Sequence, residues 1–301
     1  MKPYSIQIEL TEGCNRLCEF CGLSGLRQRP LDDLHFMTPE LAFHLAQEIS
    51  HFAPGARLEL AMHGEPLLNP EHLTIIGILR KALPATQLML TTNGLLLLKD
   101  MRTKITALFD AGLDMLVVDT YLPEREKLRS ALLQSWDNCY DFYQGGGPSP
   151  WYNYHRKQQR LVIMLDDPRV QPKKAQRILV NHTGLASTGQ KVNRPLSKTC
   201  TLPFRELPIT YNGEVCLCCN DFGKQLVVGD IRQMALADIW NGKILQAARR
   251  ILGSRQRTFI PCAVCDHGAG MRSGLLPKTP PPTEQDFEIV RQAARPLNAD
   301  V

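Results

Sequence analysis

Residues 4–21 read YSIQIELTEGCNRLCEFC. Tyr4 to Leu10 alternate apolar and polar residues, the period of a half-buried strand. Cys14, Cys18 and Cys21 follow at once, on the loop after that strand. Working outward, strand and helix patterns keep alternating. Thr38-Pro39 offers an N-cap and a first-turn proline, and Leu41, Leu45, Ile49 and Phe52 form one apolar face. Strand patterns recur at 58–62, 87–91, 115–119 and 160–165, and helical ones at 70–83, 101–111, 124–133 and 173–180. Strands separated by helices of this length predict parallel βαβ units. The expected fold class is α/β: a partial (β/α)6 TIM-like barrel, its sixth strand placed near 182–194, with functional residues at the C-terminal strand ends.

The rhythm breaks twice. Residues 134–159 hold a Gly/Pro run and then WYNYHRKQQ, and read as a loop over the barrel. From about 196 the pattern becomes a hairpin turned at Asn212-Gly213, then a helix over 236–252, then Cys262 and Cys265. The expected units are a barrel over 1–195, a small cysteine-bearing domain over 196–270, and a Pro-rich tail with a short helix over 271–301.

The 301 residues carry a net charge of +5 and ten cysteines. The chain is too long and too sparse in cysteine for a disulfide scaffold. It shows no secretory signal and no apolar run that could span a membrane, which predicts a cytoplasmic protein with reduced thiols. Clustered cysteines there point to metal or catalysis.

Three closely spaced thiolates can hold three irons of a [4Fe–4S] cluster and leave the fourth open to a non-protein ligand. A closed zinc site needs a fourth ligand, and His35, the nearest, lies beyond a proline. The spacing C-x3-C-x2-C after a first strand resembles the radical S-adenosylmethionine (radical SAM) superfamily. HGEP (His63 to Pro66) looks like that family's GGEP motif, with His63 replacing the first glycine. TTNG (Thr91 to Gly94) resembles the turn after strand three, and VVDTYLPEREKLR (117–129) the segment that approaches the SAM ribose. The resemblance covers residues 4–190. It implies that Cys14, Cys18 and Cys21 hold the SAM-binding cluster, that Phe20 packs near the adenine, and that Glu65 accepts from the SAM ammonium. Gly64, Pro66, Asn93 and Asp119 would complete the cofactor contacts.

Cys200, Gly213 and Cys218 match the opening of the SPASM-type auxiliary domain of many such enzymes, and Cys262 and Cys265 supply its C-x2-C. No cysteine follows Cys265. The resemblance is therefore to the shortened, twitch version with one auxiliary [4Fe–4S] cluster on Cys200, Cys218, Cys262 and Cys265. Cys216 and Cys219 compete with Cys218, and the Gly-x4-Cys spacing favours Cys218. Cys139 reads as a buried apolar thiol.

The implied activity is reductive cleavage of SAM and hydrogen abstraction from a substrate, in a net oxidation or a redox-neutral rearrangement, with an electron donor such as flavodoxin or ferredoxin. A small natural-product, amino-acid-derived or sugar-derived substrate is expected. Other readings are a peptide maturase, which the start of the chain at strand one makes less expected, and modification of a group on a nucleotide or nucleic acid, as in phage DNA. Basic segments at 155–160, 173–177 and 249–257 motivate the nucleic-acid reading, against the plainer one of solvated loops and helix faces. A zinc-stabilised binding protein is the non-enzyme alternative.

Overall fold

The computed structural model describes residues 2–26, 29–119, 124–135, 141–145, 160–165, 179–268 and 279–297. Strand β1 (Ser5–Ile8) leads to β2 (Thr11–Glu12), which pairs antiparallel with β3 (His35–Phe36). Helix α1 (Pro39–Phe52), β4 (Arg57–Leu60), α2 (His72–Ala82), β5 (Leu88–Thr92), α3 (Met101–Asp110), β6 (Met115–Val118) and α4 (Arg125–Ser135) then alternate. Strands β7 (Asp141–Gly145) and β8 (Leu161–Leu165) follow, and after them β9 (Glu206–Ile209), β10 (Glu214–Cys216) and β11 (Val227–Asp230). Helices α5 (Leu236–Trp240), α6 (Lys243–Gly253) and α7 (Glu284–Ala293) complete the described elements.

One nine-stranded sheet runs β11-β10-β9-β1-β4-β5-β6-β8-β7. The strands from β9 to β7 pair in parallel, while β10 is antiparallel to both its neighbours. Strand alternation sorts the two faces. Ile6, Ile8, Leu58, Leu60, Leu88, Leu90, Leu116 and Val118 join the large core with the helices. Each such side chain contributes about 1.5–3 kcal/mol on full burial. The other face is apolar on β5, β6 and β8, where Met89, Met115, Val117, Leu161 and Ile163 cluster. Toward β1 and β4 it turns polar, and Gln7 Nε2 donates to Glu59 Oε2 at 3.3 Å.

Thr38 caps α1 through its side chain, with Pro39 in the first turn, as the sequence predicts. Several expectations need correction. Residues 182–194 form no strand; a short 3-10 turn (His182–Gly184) stands there, and the further parallel strand beside β1 is β9. Within the predicted loop 134–159, residues 141–145 are an edge strand parallel to β8. The helix predicted over 236–252 breaks at Asn241-Gly242 into α5 and α6.

The third basic segment is solvated only in part: Arg255 is exposed, but Arg249 and Arg257 are buried. Arg257, 1% exposed, donates to the carbonyls of Lys198, Thr199 and His267. Arg249 donates to the carbonyls of Pro203 and Trp240 and lies 3.8 Å from the Trp240 ring centroid. Both guanidiniums serve the interior. Of the other two segments only Arg160 is described, paired with Asp110; residues 151–159, 173–177 and Cys139 lie outside the described residues.

The tail helix α7 docks on α6 through Arg250, whose Nε donates to Asp286 Oδ2 at 3.0 Å. Asp286 also accepts from Thr283 N in a capping box. Its carboxyl is pulled down to about 2, first by Arg250. A lowered carboxylate stabilises the fold above its unfolded value near 3.8, and that contribution is lost as pH falls through about 2. Asp286→Asn is expected to cost about 1–2 kcal/mol at pH 7 in urea unfolding. The difference from wild type should close between about pH 4 and pH 2.

Candidate active site

The ladder of β2 with β3 pins both ends of the loop that carries Cys14, Cys18 and Cys21. Asn69, fully buried, reinforces it by donating to the carbonyls of Leu10 and Met37. Within the loop Cys21 N donates to Cys18 O at 2.9 Å. Burial pushes the Cys14 thiol up to about 12 and the Cys21 thiol to about 11, and Cys21 acts on Cys14 as Cys18 acts on Cys21. The three share one short loop, and all are free thiols. Phe20 sits half-buried between Cys18 and Cys21.

The HGEP turn lies against this loop. A Cβ on Gly64 would stand 2.0 Å from Thr11 O and 2.6 Å from Gly13 O, so the backbone approach needs glycine. Glu65 N donates to Gly13 O at 3.0 Å, and Pro66 opens a short 3-10 turn capped by the Glu65 side chain. The Glu65 carboxylate accepts from Thr92 Oγ1 at 2.7 Å, Asn93 N at 2.8 Å and Leu67 N at 3.1 Å. Burial still raises its pKa against these bonds. Asn93 closes the circle: its Nδ2 donates to Asn15 Oδ1 at 2.8 Å and lies 3.5 Å from Cys14 Sγ. Asp119, at the end of β6, donates its N–H to Thr92 O at 2.9 Å. The carboxylate at 65 therefore ties the ends of β4 and β5 together and stands beside the first thiol loop.

The second thiol set lines one small cavity. Cys200, Cys218, Cys262 and Cys265 share its wall with Thr183, Asn220 and other residues. All four are buried free thiols. Burial raises each pKa, and neighbouring thiolates add to it at Cys200, Cys218 and Cys262; Arg257 opposes this at Cys200, Cys262 and Cys265. Four soft donors that burial and one another disfavour as thiolates fit a cationic iron–sulfur core, which would neutralise them. The other two candidates point elsewhere. Cys216 is buried at the end of β10. Cys219 turns to the inner face of the sheet, its Sγ 3.8 Å from Glu206 Oε2. There burial and the nearby Glu59 push Glu206 up to about 7.

Sequence reading missed what joins the two sets. Phe222, four residues after Cys218, packs with Leu23 and Leu26 against Cys14 and Cys21 of the first set. A Cβ on Gly22, next to Cys21, would fall 2.5 Å from its ring. The same ring lies 4.2 Å from the His63 ring and 4.9 Å from that of His182. His182 Nδ1 is 3.1 Å from Asn220 Oδ1. Below this, fully buried Glu9 lies 3.7 Å from Lys224 Nζ, which reaches Glu12 at 2.6 Å. Burial alone would raise Glu9, but Lys224 and His63 outweigh it and hold the carboxyl low. The signal available in sequence was the histidine where the family pattern has glycine.

Comparison with known proteins agrees with this architecture. Residues 8–133 match the Radical SAM superfamily model, and residues 200–266 match SPASM, an iron-sulfur cluster-binding domain. The chain carries a radical SAM domain followed by a SPASM domain. It is an enzyme that uses SAM, a SAM-binding [4Fe–4S] cluster and an auxiliary iron–sulfur cluster. It is 22% identical over 264 residues to the S-adenosyl-L-methionine-dependent 2-deoxy-scyllo-inosamine dehydrogenase of Niallia circulans, covering 87% of this chain and 92% of that one. The structure of BtrN in complex with AdoMet and 2-DOIA shares the fold, with a TM-score of 0.70 at 22% identity, covering 91% and 97% of the two chains. The GTP 3',8-cyclase of Nostoc sp. is 36% identical, but over 110 residues only, 36% of this chain and 31% of that enzyme.

Two variants separate the competing cysteines. Cys218→Ala is expected to lose the auxiliary iron, about half the total on reconstitution, while Cys219→Ala keeps it. Iron and sulfide analysis checks this. Gly64→Ala should destabilise the chain by about 1–3 kcal/mol or more in urea unfolding, because the new methyl meets backbone that cannot yield.

Proposed function

We propose that this enzyme is a SAM-dependent dehydrogenase of a small hydroxylated substrate, an aminocyclitol or related sugar-like molecule. Cys14, Cys18 and Cys21 hold the SAM-binding cluster, and Cys200, Cys218, Cys262 and Cys265 hold the auxiliary one. The carrying observation is the set of four buried thiols lining one cavity, on a unit whose Phe222 packs against the first thiol loop. Four protein thiolates leave no open position for a substrate, so that site suits electron transfer. The likeness to the inosamine dehydrogenase, which runs through both units, supports the substrate class.

The bound cofactors supply reductive cleavage of SAM to methionine, with a substrate hydrogen atom ending on 5′-deoxyadenosine. Loss of that hydrogen atom from a secondary alcohol carbon, then of one proton and one electron, gives a ketone. The chain's own residues orient and exclude water. Glu65, tied down by Thr92, Asn93 and Leu67, keeps one lone pair, on Oε2, free for the SAM ammonium. Gly64 lets the motif approach the cysteine loop, and Asn93 presents an N–H toward Cys14. Phe20, Pro66 and Asp119 complete the SAM pocket. A cytoplasmic flavodoxin or ferredoxin delivers the first electron. Among the described residues no helix is long and apolar enough to cross a membrane.

The test uses 2-deoxy-scyllo-inosamine deuterated on carbon, with reconstituted enzyme, SAM and dithionite. The expected result is deuterium in 5′-deoxyadenosine and a ketone with two hydrogens fewer than the substrate. 5′-Deoxyadenosine without deuterium would reject this substrate class, and a labelled nucleoside with an isomeric product would reject oxidation.

A further inference from the structure

His63 is the departure from the family motif, and nothing in SAM binding asks for an imidazole there. Its side chain is 1% exposed. Nε2 lies 2.9 Å from the carbonyl oxygen of Cys219, which can only accept, so Nε2 carries the hydrogen and donates. Nδ1 faces Glu9 Oε1 at 3.4 Å, and Glu9 is itself fixed by Tyr211 N at 3.1 Å. The ring lies on Phe222. One side chain thus touches β1's extension through Glu9, and two residues of the loop 218–222 of the second unit.

That loop needs an anchor on this side. Asp221 holds its far end, accepting from Gln225 N at 2.9 Å and Leu226 N at 2.8 Å. Thr183 Oγ1 donates to Asn220 O at 3.1 Å. Cys219 O, directly after Cys218, has His63 as its side-chain donor. A glycine at 63 would leave that carbonyl buried without this partner and would remove the nearer of the two histidine rings that pack on Phe222.

We infer that His63 is a positioning residue that closes the auxiliary site from the barrel side, by fastening the Cys218–Phe222 loop to the SAM-motif turn. The inference rests on the assignment of Cys218 to the auxiliary cluster. It makes the turn that holds SAM and the loop that holds the second cluster a single mechanical unit.

Two variants test it in the full chain. His63→Gly restores the family residue; His63→Gln keeps an N–H donor at similar reach and removes the ring. In cluster-free protein, alkylation of Cys219 by iodoacetamide, read by peptide mass spectrometry, should be roughly tenfold faster in His63→Gly, the weight of one lost buried hydrogen bond. The glutamine variant should recover most of that protection. In reconstituted protein, bathophenanthroline should strip the auxiliary half of the iron roughly tenfold faster from His63→Gly than from wild type, again with recovery in His63→Gln. Wild-type rates in His63→Gly would overturn the inference, and so would glutamine behaving like glycine. If wild-type protein binds no auxiliary iron, the Cys218 assignment fails instead, and the alkylation arm still decides the role of His63.

Discussion

Burying cysteines whose thiolates are disfavoured is the constraint on which this molecule is built. Burial holds every one of the four cavity cysteines above its ordinary pKa, and the neighbouring thiolates add to it at Cys200, Cys218 and Cys262. Such a set is stable as thiolates only around a cationic core. Hydrogen bonds of the surrounding chain shape the pocket. Arg257 is buried against three carbonyls from both sides of the cavity, and Asp221 pins the turn after Cys218. The first cysteine loop, with less burial, depends on neighbours: the short β2–β3 ladder, Asn69 beneath it and Asn93 beside Cys14.

The parallel sheet was legible in sequence because most of its strands are buried on both faces or alternate cleanly, as in MLVV at 115–118. The strand at 141–145 was not, because an edge strand pairs with one neighbour only and needs no continuous apolar run. The further parallel strand was misplaced for a related reason. β9 begins the predicted second unit, so the hairpin that reads as a separate domain is continuous with the barrel sheet through β1. Composition marks a change of pattern at 196; it does not mark a break in hydrogen bonding.

The candidate site divides in the same way. Local motifs named Cys14, Cys18, Cys21, Gly64, Glu65 and Asn93, because strand order alone brings successive loop ends together. Contacts between distant segments were invisible. Glu9 and Lys224 are an ordinary strand residue and an ordinary loop lysine until the fold makes them a buried pair. Arg249 and Arg257 look like surface charge in sequence and are interior donors in the structure. His63 stood between the two cases: its oddity was visible, but its partners Cys219 and Phe222 lie more than 150 positions away.

The most direct test of the account is the iron content, with Mössbauer spectra, of anaerobically reconstituted wild-type chain and of a variant with Cys14, Cys18 and Cys21 all changed to Ala. Two clusters predict about eight irons per chain in wild type and about four in the variant, with SAM perturbing the spectrum of wild type alone. Zinc in place of iron, or a variant that keeps the wild-type iron content and its response to SAM, would contradict it.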